Sequence, residues 1–171
     1  MIPLGICASL GLNSLISLLR LTEIFPSYTE QVYDVLFSNS LPVGLIMYGF
    51  VMPGIEELLF RWILFDKLAR YIPVKTAGIV SSAIFGIYHR NTIQFIYSFI
   101  FGLLLAYCFY LFNSILASWL LHASANIFIY LISSLQIFSF MGMPQFQALG
   151  VFAGFIGTYF VLMRFKEKKN G

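Results

Sequence analysis

Residues 41–65 read LPVGLIMYGFVMPGIEELLFRWILF and place Glu56, Glu57 and Arg61 inside a stretch otherwise apolar enough to cross a membrane. An ionisable side chain at the centre of a spanning helix costs about 2.5–3.5 kcal/mol on insertion scales, so three within one and a half turns require a reason, and the default reason is function. Residues four apart share a helix face, which sets Glu57 beneath Arg61 with the acid N-terminal to the base, the favourable order for an intrahelical pair. Glu56 points about 100° away and must find its partner on another helix. Pro53, three residues ahead of Glu56, has no N–H to offer the carbonyl of Gly49 and is expected to kink or loosen the helix there.

The rest of the chain has the same character. Hydrophobic residues make up 60%, aromatic residues 18% and charged residues only 10%, against about 25% charged in an average soluble domain. The expected fold is an all-α polytopic membrane bundle, a single integral membrane domain over 1–171 with about six transmembrane helices. Uncharged runs and loop punctuation place them at about 2–19, 41–65, 74–89, 92–112, 114–138 and 146–163. The first run, which has neither a basic n-region nor a small-x-small cleavage pattern, reads as a retained span and not a signal peptide. With the polar loop or surface-lying helix that follows, it makes up 1–40; the core occupies 41–163, and 164–171 is a basic cytoplasmic tail. Cys7 and Cys108 lie in apolar runs and read as small buried hydrophobes. Gly150 with Gly154, and Gly102 with Ala106, allow helix backbones to approach closely.

A net charge of +3, concentrated at loops and the C-terminus, is too small to argue for a nucleic-acid partner, so none is expected, and it instead orients the bundle. Lys67, Arg70, Lys75, Arg164, Lys166, Lys168 and Lys169 fall on one side, Arg20 and Arg90 on the other. By the positive-inside rule both termini are cytoplasmic, and the acidic loop with Glu23, Glu30 and Asp34 is outside.

The two histidines supply candidate partners for Glu56. His89 ends the third span, and His122 in the fifth shares a helix face with Asn126 at i, i+4. This set suits hydrolysis: a carboxylate in a low-dielectric pocket can take a proton from water, an imidazole can orient that water, and a second imidazole with an amide can stabilise an oxyanion. Ser124, about 200° around the helix from His122, is no nucleophile for this site. The active site is therefore expected between the second, third and fifth helices. Glu56 and His122 fall about 12–14 Å from the cytoplasmic ends of their helices and His89 about 21 Å, so the third helix must tilt or start below the headgroups, and the site is expected to open toward the cytoplasmic half.

Glu56-Glu57-x-x-x-Arg61, Phe85-x-x-x-His89 and His122-x-x-x-Asn126, in that order on successive membrane helices, resemble the CPBP intramembrane protease family, also called the CAAX protease, bacteriocin-processing or Abi family and related to the type II CAAX prenyl endopeptidase. The resemblance covers roughly 41–163. It implies an endopeptidase in which Glu56 activates water with His89, His122 and Asn126 form the oxyanion site, and Glu57 and Arg61 support the architecture. The partners expected are membrane lipid and a peptide or protein substrate, lipidated or not; the location is an integral membrane one, the plasma membrane if the host is bacterial. No metal is the favoured reading. The alternative is zinc on Glu56, His89 and His122, a His₂Glu set in which one glutamate would be both ligand and base. A non-proteolytic scaffold or bacteriocin self-immunity protein is the competing function. A proton-coupled transporter is disfavoured because the chain has no matching pair of interrupted helices.

Overall fold

A computed structural model describes residues 1–26, 28, 39–134 and 143–170, with the side chains of 166–170 left aside. Every regular element among the described residues is helical: α1 (Ile2–Leu18), the single turn α2 (Leu21–Ile24), α3 (Leu41–Ala69), α4 (Val74–Tyr88), α5 (Thr92–Phe112), α6 (Ile115–Ser134) and α7 (Pro144–Asn170). The six helices expected from sequence are all present. The polar loop after α2, and any extension of α6 toward 138, lie largely outside the described residues. The last helix does not stop near 163 but continues through the basic segment to Asn170.

Four helices, α3, α5, α6 and α7, are long and apolar enough to cross a bilayer. Helix α1 has 17 residues and α4 only 15, which at 1.5 Å per residue is about 22–26 Å, short of the ~30 Å hydrocarbon core. The outer surface of the bundle is apolar, and its interior combines hydrophobic packing with the chain's buried polar and charged side chains. On α3, Ile46, Phe50, Leu59, Trp62 and Ile63 face outward, while Glu57, Arg61 and, from other helices, Ser81, Ser82, Ser118 and His122 are buried.

Helix α3 is a single element of 29 residues, but two stretches, Leu45–Val51 and Leu58–Phe65, are wound as π-helix on either side of an α-helical Met52–Glu57. Pro53 accounts for the first. It cannot donate to Gly49 in α geometry, nor to Tyr48 five residues back in π geometry. The Met52 N–H already reaches the Met47 carbonyl. The expected kink thus takes the form of a π-wound segment, and the Tyr48 carbonyl that Pro53 cannot serve is taken up by α6, Asn126 Nδ2 donating to it at 3.0 Å; Trp119 Nε1 of the same helix donates to the Phe50 carbonyl at 3.1 Å.

Helices α3 and α6 run antiparallel, Gly44 against Tyr130, Gly49 against Ile127 and Gly54 against Trp119. Helices α1 and α7 are also antiparallel, joined by Gln147 Nε2 donating to Ser17 Oγ at 2.7 Å. A Cβ on Gly154 would lie 2.4 Å from Gly11 Cα and one on Gly150 2.2 Å from Ser14 Oγ, so this G-x-x-x-G serves packing within the chain. The bundle therefore has two distinct ends. One collects the end of α3, the starts of α4 and α6, and the ends of α5 and α7, the last two joined by a Phe112–Phe165 ring contact at 5.2 Å. The other collects the end of α1, the start of α3, the α4–α5 connection and the start of α7.

Candidate active site

Glu56, His89, His122 and Asn126, chosen from sequence on three helices, all line one cavity of about 330 Å³. Its remaining wall mixes aromatic and neutral polar side chains, among them Tyr48, Met52, Tyr97, Ser98 and Phe101. The two adjacent glutamates face different surroundings. Glu56 is 8% exposed and borders the cavity, whereas Glu57 is fully buried at 0%.

Glu57 is held from two sides. Arg61 Nη1 lies 3.2 Å from its Oε1, an ion pair by distance without hydrogen-bond alignment. The guanidinium is completed by Nη2 donating to the Gly102 carbonyl at 3.3 Å and by the Phe85 ring 4.4 Å below it. The second partner is His122, whose Nδ1 donates to the same Oε1 at 2.8 Å. Sequence reading matched Glu57 to Arg61 alone and missed this link. A buried acid beside a buried base on one helix signals a pair, but nothing in the spacing says that a second helix will also reach it.

The link fixes the imidazole. With Nδ1 committed to Glu57, the other ring nitrogen turns toward Glu56, Nε2 to Oε2 at 3.6 Å, too long for a hydrogen bond. Phe85 and Phe101 clamp the ring edge-on, with centroids 5.8 and 5.7 Å away. His89 is oriented in the same manner. It caps α4 at its C-terminus, its Nδ1 donates to the Phe85 carbonyl at 2.9 Å, and in the neutral ring Nε2 is then the proton acceptor. Phe85 thus touches both histidines and Arg61.

Asn126 has one amide hydrogen on Tyr48 and one left over. It is therefore a cap for the π-wound part of α3 as well as a cavity side chain, a role no sequence pattern announced. Ser124 bonds the Leu121 carbonyl at 2.9 Å and lies against Gly5 of α1, away from the site. Among the described residues no three of His, Cys, Asp and Glu converge as a metal-ligand set.

The depth reading needs adjustment. Helix α3 runs on to Ala69, so Glu56 lies about 20 Å from that end, close to the ~22 Å of His89 along α4. These two agree without tilting α4. His122 is only about 10 Å along α6, and its contact with Phe101 shows α6 displaced axially against α5. The cavity lies toward the end of the bundle that carries the α4–α5 connection, with Asn13, Tyr28 and Gln94 in its lining, and not at the end that carries Lys67, Arg70 and Lys75.

No solved structure matches the chain. A candidate membrane peptidase, YdiL of Bacillus subtilis (strain 168), is 36% identical over 63 residues, which is 37% of this chain and 25% of that protein; the match thus spans about a quarter of the relative's length. The model of the family described as type II CAAX prenyl endopeptidase Rce1-like matches residues 38–128, a stretch that begins just ahead of α3 and contains Glu56, Glu57, Arg61, His89, His122 and Asn126. The chain is an integral membrane protein that belongs to the type II CAAX prenyl endopeptidase Rce1-like family.

Proposed function

We propose that the chain is a membrane-embedded endopeptidase that hydrolyses a peptide bond of a membrane-associated or lipophilic peptide with water activated by Glu56 and His89, without a metal. The observation that carries this reading is the meeting of Glu56, His89, His122 and Asn126 around one cavity, with Glu57 fixing the ring of His122.

Water held between Glu56 and the acceptor nitrogen of His89 attacks the carbonyl carbon, and its proton passes to Glu56. The carbonyl oxygen becomes an oxyanion, which takes hydrogen bonds from the free amide hydrogen of Asn126 and from His122 Nε2. Because His122 Nδ1 donates to Glu57, Nε2 can donate only when the ring is the imidazolium. Two carboxylates, Arg61 and an imidazolium then sum to zero charge in the bundle interior. Collapse of the intermediate breaks the C–N bond, and Glu56 returns its proton to the leaving amine. Glu57 and Arg61 touch no reacting atom; they are positioning residues that act through His122.

The test uses purified protein in lipid and a quenched fluorescent peptide. Glu56→Gln removes the base while keeping shape, and a loss of about 10²–10⁴-fold is expected, the usual contribution of general acid–base catalysis. His89→Ala is expected to fall in the same range, and a strong chelator to change nothing. Full turnover by both variants overturns the peptidase reading in favour of a binding scaffold; loss of turnover with the chelator overturns the metal-free mechanism.

A further inference from the structure

The two ends of the bundle differ sharply in their Lys and Arg content, and the cavity is at the less basic one. Lys67, Arg70 and Lys75 lie at the α3–α4 connection, and Arg164, Lys166, Lys168 and Lys169 are on the last turns of α7. The Phe112–Phe165 contact brings the end of α7 to that same end of the bundle, so seven basic residues gather there. The opposite end carries Arg20, which pairs with Glu23 at 3.2 Å, and Arg90, the residue after the cavity's own His89. Orientation in a membrane follows the Lys/Arg count of short loops and helix ends. A ratio of seven to two therefore places the basic end in the cytoplasm.

The cavity reaches the other end. His89 is the C-terminal cap of α4, Gln94 is in the first turn of α5, and Asn13 lies in the last turns of α1; all three line it. We infer that the cavity opens on the non-cytoplasmic side of the membrane, and that the chain takes its peptide there. This reverses the expectation from sequence of an opening toward the cytoplasmic half. That expectation took Glu56 to be shallow because α3 was ended near Phe65, four residues short of Ala69. The occupant is the outward-facing part of a membrane-anchored peptide, or a lipophilic peptide arriving from outside. The lining chemistry, aromatic rings with Ser98, Gln94 and Asn13 and no charge besides Glu56 and the two histidines, fits an uncharged segment about the bond to be cut.

The side of opening stands apart from the peptidase reading, but the statement that a peptide is cut there rests on it, and the experiment separates the two. In a background with Cys7→Ser and Cys108→Ala, single cysteines are introduced as Arg90→Cys and Lys75→Cys, both at exposed positions, and as Ser98→Cys within the cavity. Each is treated with a membrane-impermeant maleimide in intact cells and again after permeabilisation. Arg90→Cys and Ser98→Cys are expected to label in intact cells, and Lys75→Cys only after permeabilisation. Labelling of Lys75→Cys in intact cells overturns the orientation. Labelling of Ser98→Cys only after permeabilisation, with Arg90→Cys already labelled, overturns the opening. If Ser98→Cys does not accumulate, Gln94→Cys takes its place. An impermeant quenched peptide is then added to sealed right-side-out vesicles of the unmodified chain. Cleavage without opening the vesicles is expected, and cleavage only after opening them overturns the inference. Outside labelling with no cleavage in either state supports the outward opening and overturns the peptidase reading alone.

Discussion

Two seams hold this bundle together by different means. Between α3 and α6 the contacts are polar and directional: His122 to Glu57 at 2.8 Å, Asn126 to the Tyr48 carbonyl at 3.0 Å, Trp119 to the Phe50 carbonyl at 3.1 Å. Between α1 and α7 they are mainly steric, with Gly154 against Gly11 and Gly150 against Ser14. Lipid tails are as apolar as leucine, so membrane helices associate through close packing and interhelical hydrogen bonds, and each seam relies mainly on one of them. The family match covers the polar seam as far as residue 128 and neither helix of the steric one. The contrast teaches that in the α3–α6 seam the bonds that join the helices also orient the candidate catalytic groups, while the close glycine contacts of the α1–α7 seam touch none of those groups.

The largest expected break is Glu57→Ala. It leaves Arg61, 1% exposed, without its ion-pair partner, and removing one member of a buried pair costs about 3–5 kcal/mol. Thermal unfolding in detergent is expected to show that loss, together with loss of peptide cleavage in whatever fraction remains folded, because His122 is no longer held. A Glu57→Ala protein with unchanged stability and full turnover sinks the claim that this seam serves both ends. Glu56→Gln sharpens the contrast on the same helix, since it should abolish cleavage while leaving unfolding near that of the parent.

Much of this was legible in the chain because the membrane restricts what ionisable residues can do. Glu56, Glu57, Arg61, His89, His122 and Asn126 were selected because each is costly in an apolar span, and the structure gathers four of them around one cavity. Helix period also predicted correctly that Ser124 faces away. What sequence could not supply were facts that depend on pairing between helices. Helical spacing tells which residues share a face, not that the His122 ring reaches past Glu56 to Glu57, nor that α6 is displaced along α5. The run of α3 to Ala69 was missed because Asp66 and Lys67 look like a loop, although they form a further helical turn in which Arg70 pairs with Asp66. That shorter helix made Glu56 look closer to the basic end than it is.

A smaller break is expected in the steric seam. Gly154→Leu drives a side chain into the Gly11 backbone, which lies 2.4 Å from where a Cβ would sit, and overpacking of this kind costs about 1–3 kcal/mol. The comparison requires that the folded fraction still cleave the test peptide at close to the parental rate. A large loss of turnover per folded molecule would show that α1 does more than pack, and Asn13 in the cavity lining would be the first place to look.

The finest test concerns Asn126, which has a bond in the polar seam and a proposed part in catalysis. Asn126→Ala strips the Tyr48 carbonyl of its donor, and a buried acceptor left unsatisfied costs about 1–3 kcal/mol. The carbonyl is open only because Pro53 has no N–H to give it, so Pro53→Ala should supply a backbone donor in its place. The double variant Asn126→Ala with Pro53→Ala is then expected to recover stability that Asn126→Ala loses, a coupling between two residues on different helices that a double-mutant cycle reads directly. Turnover should not recover with it, because the amide hydrogen proposed for the oxyanion is still missing. If stability and turnover return together, Asn126 is a cap for α3 and nothing more, and the oxyanion is left to His122 alone. If neither returns, the π-wound segment does not owe its geometry to Pro53, and the bond from Asn126 to Tyr48 is a consequence of how α6 packs and not a cause of it.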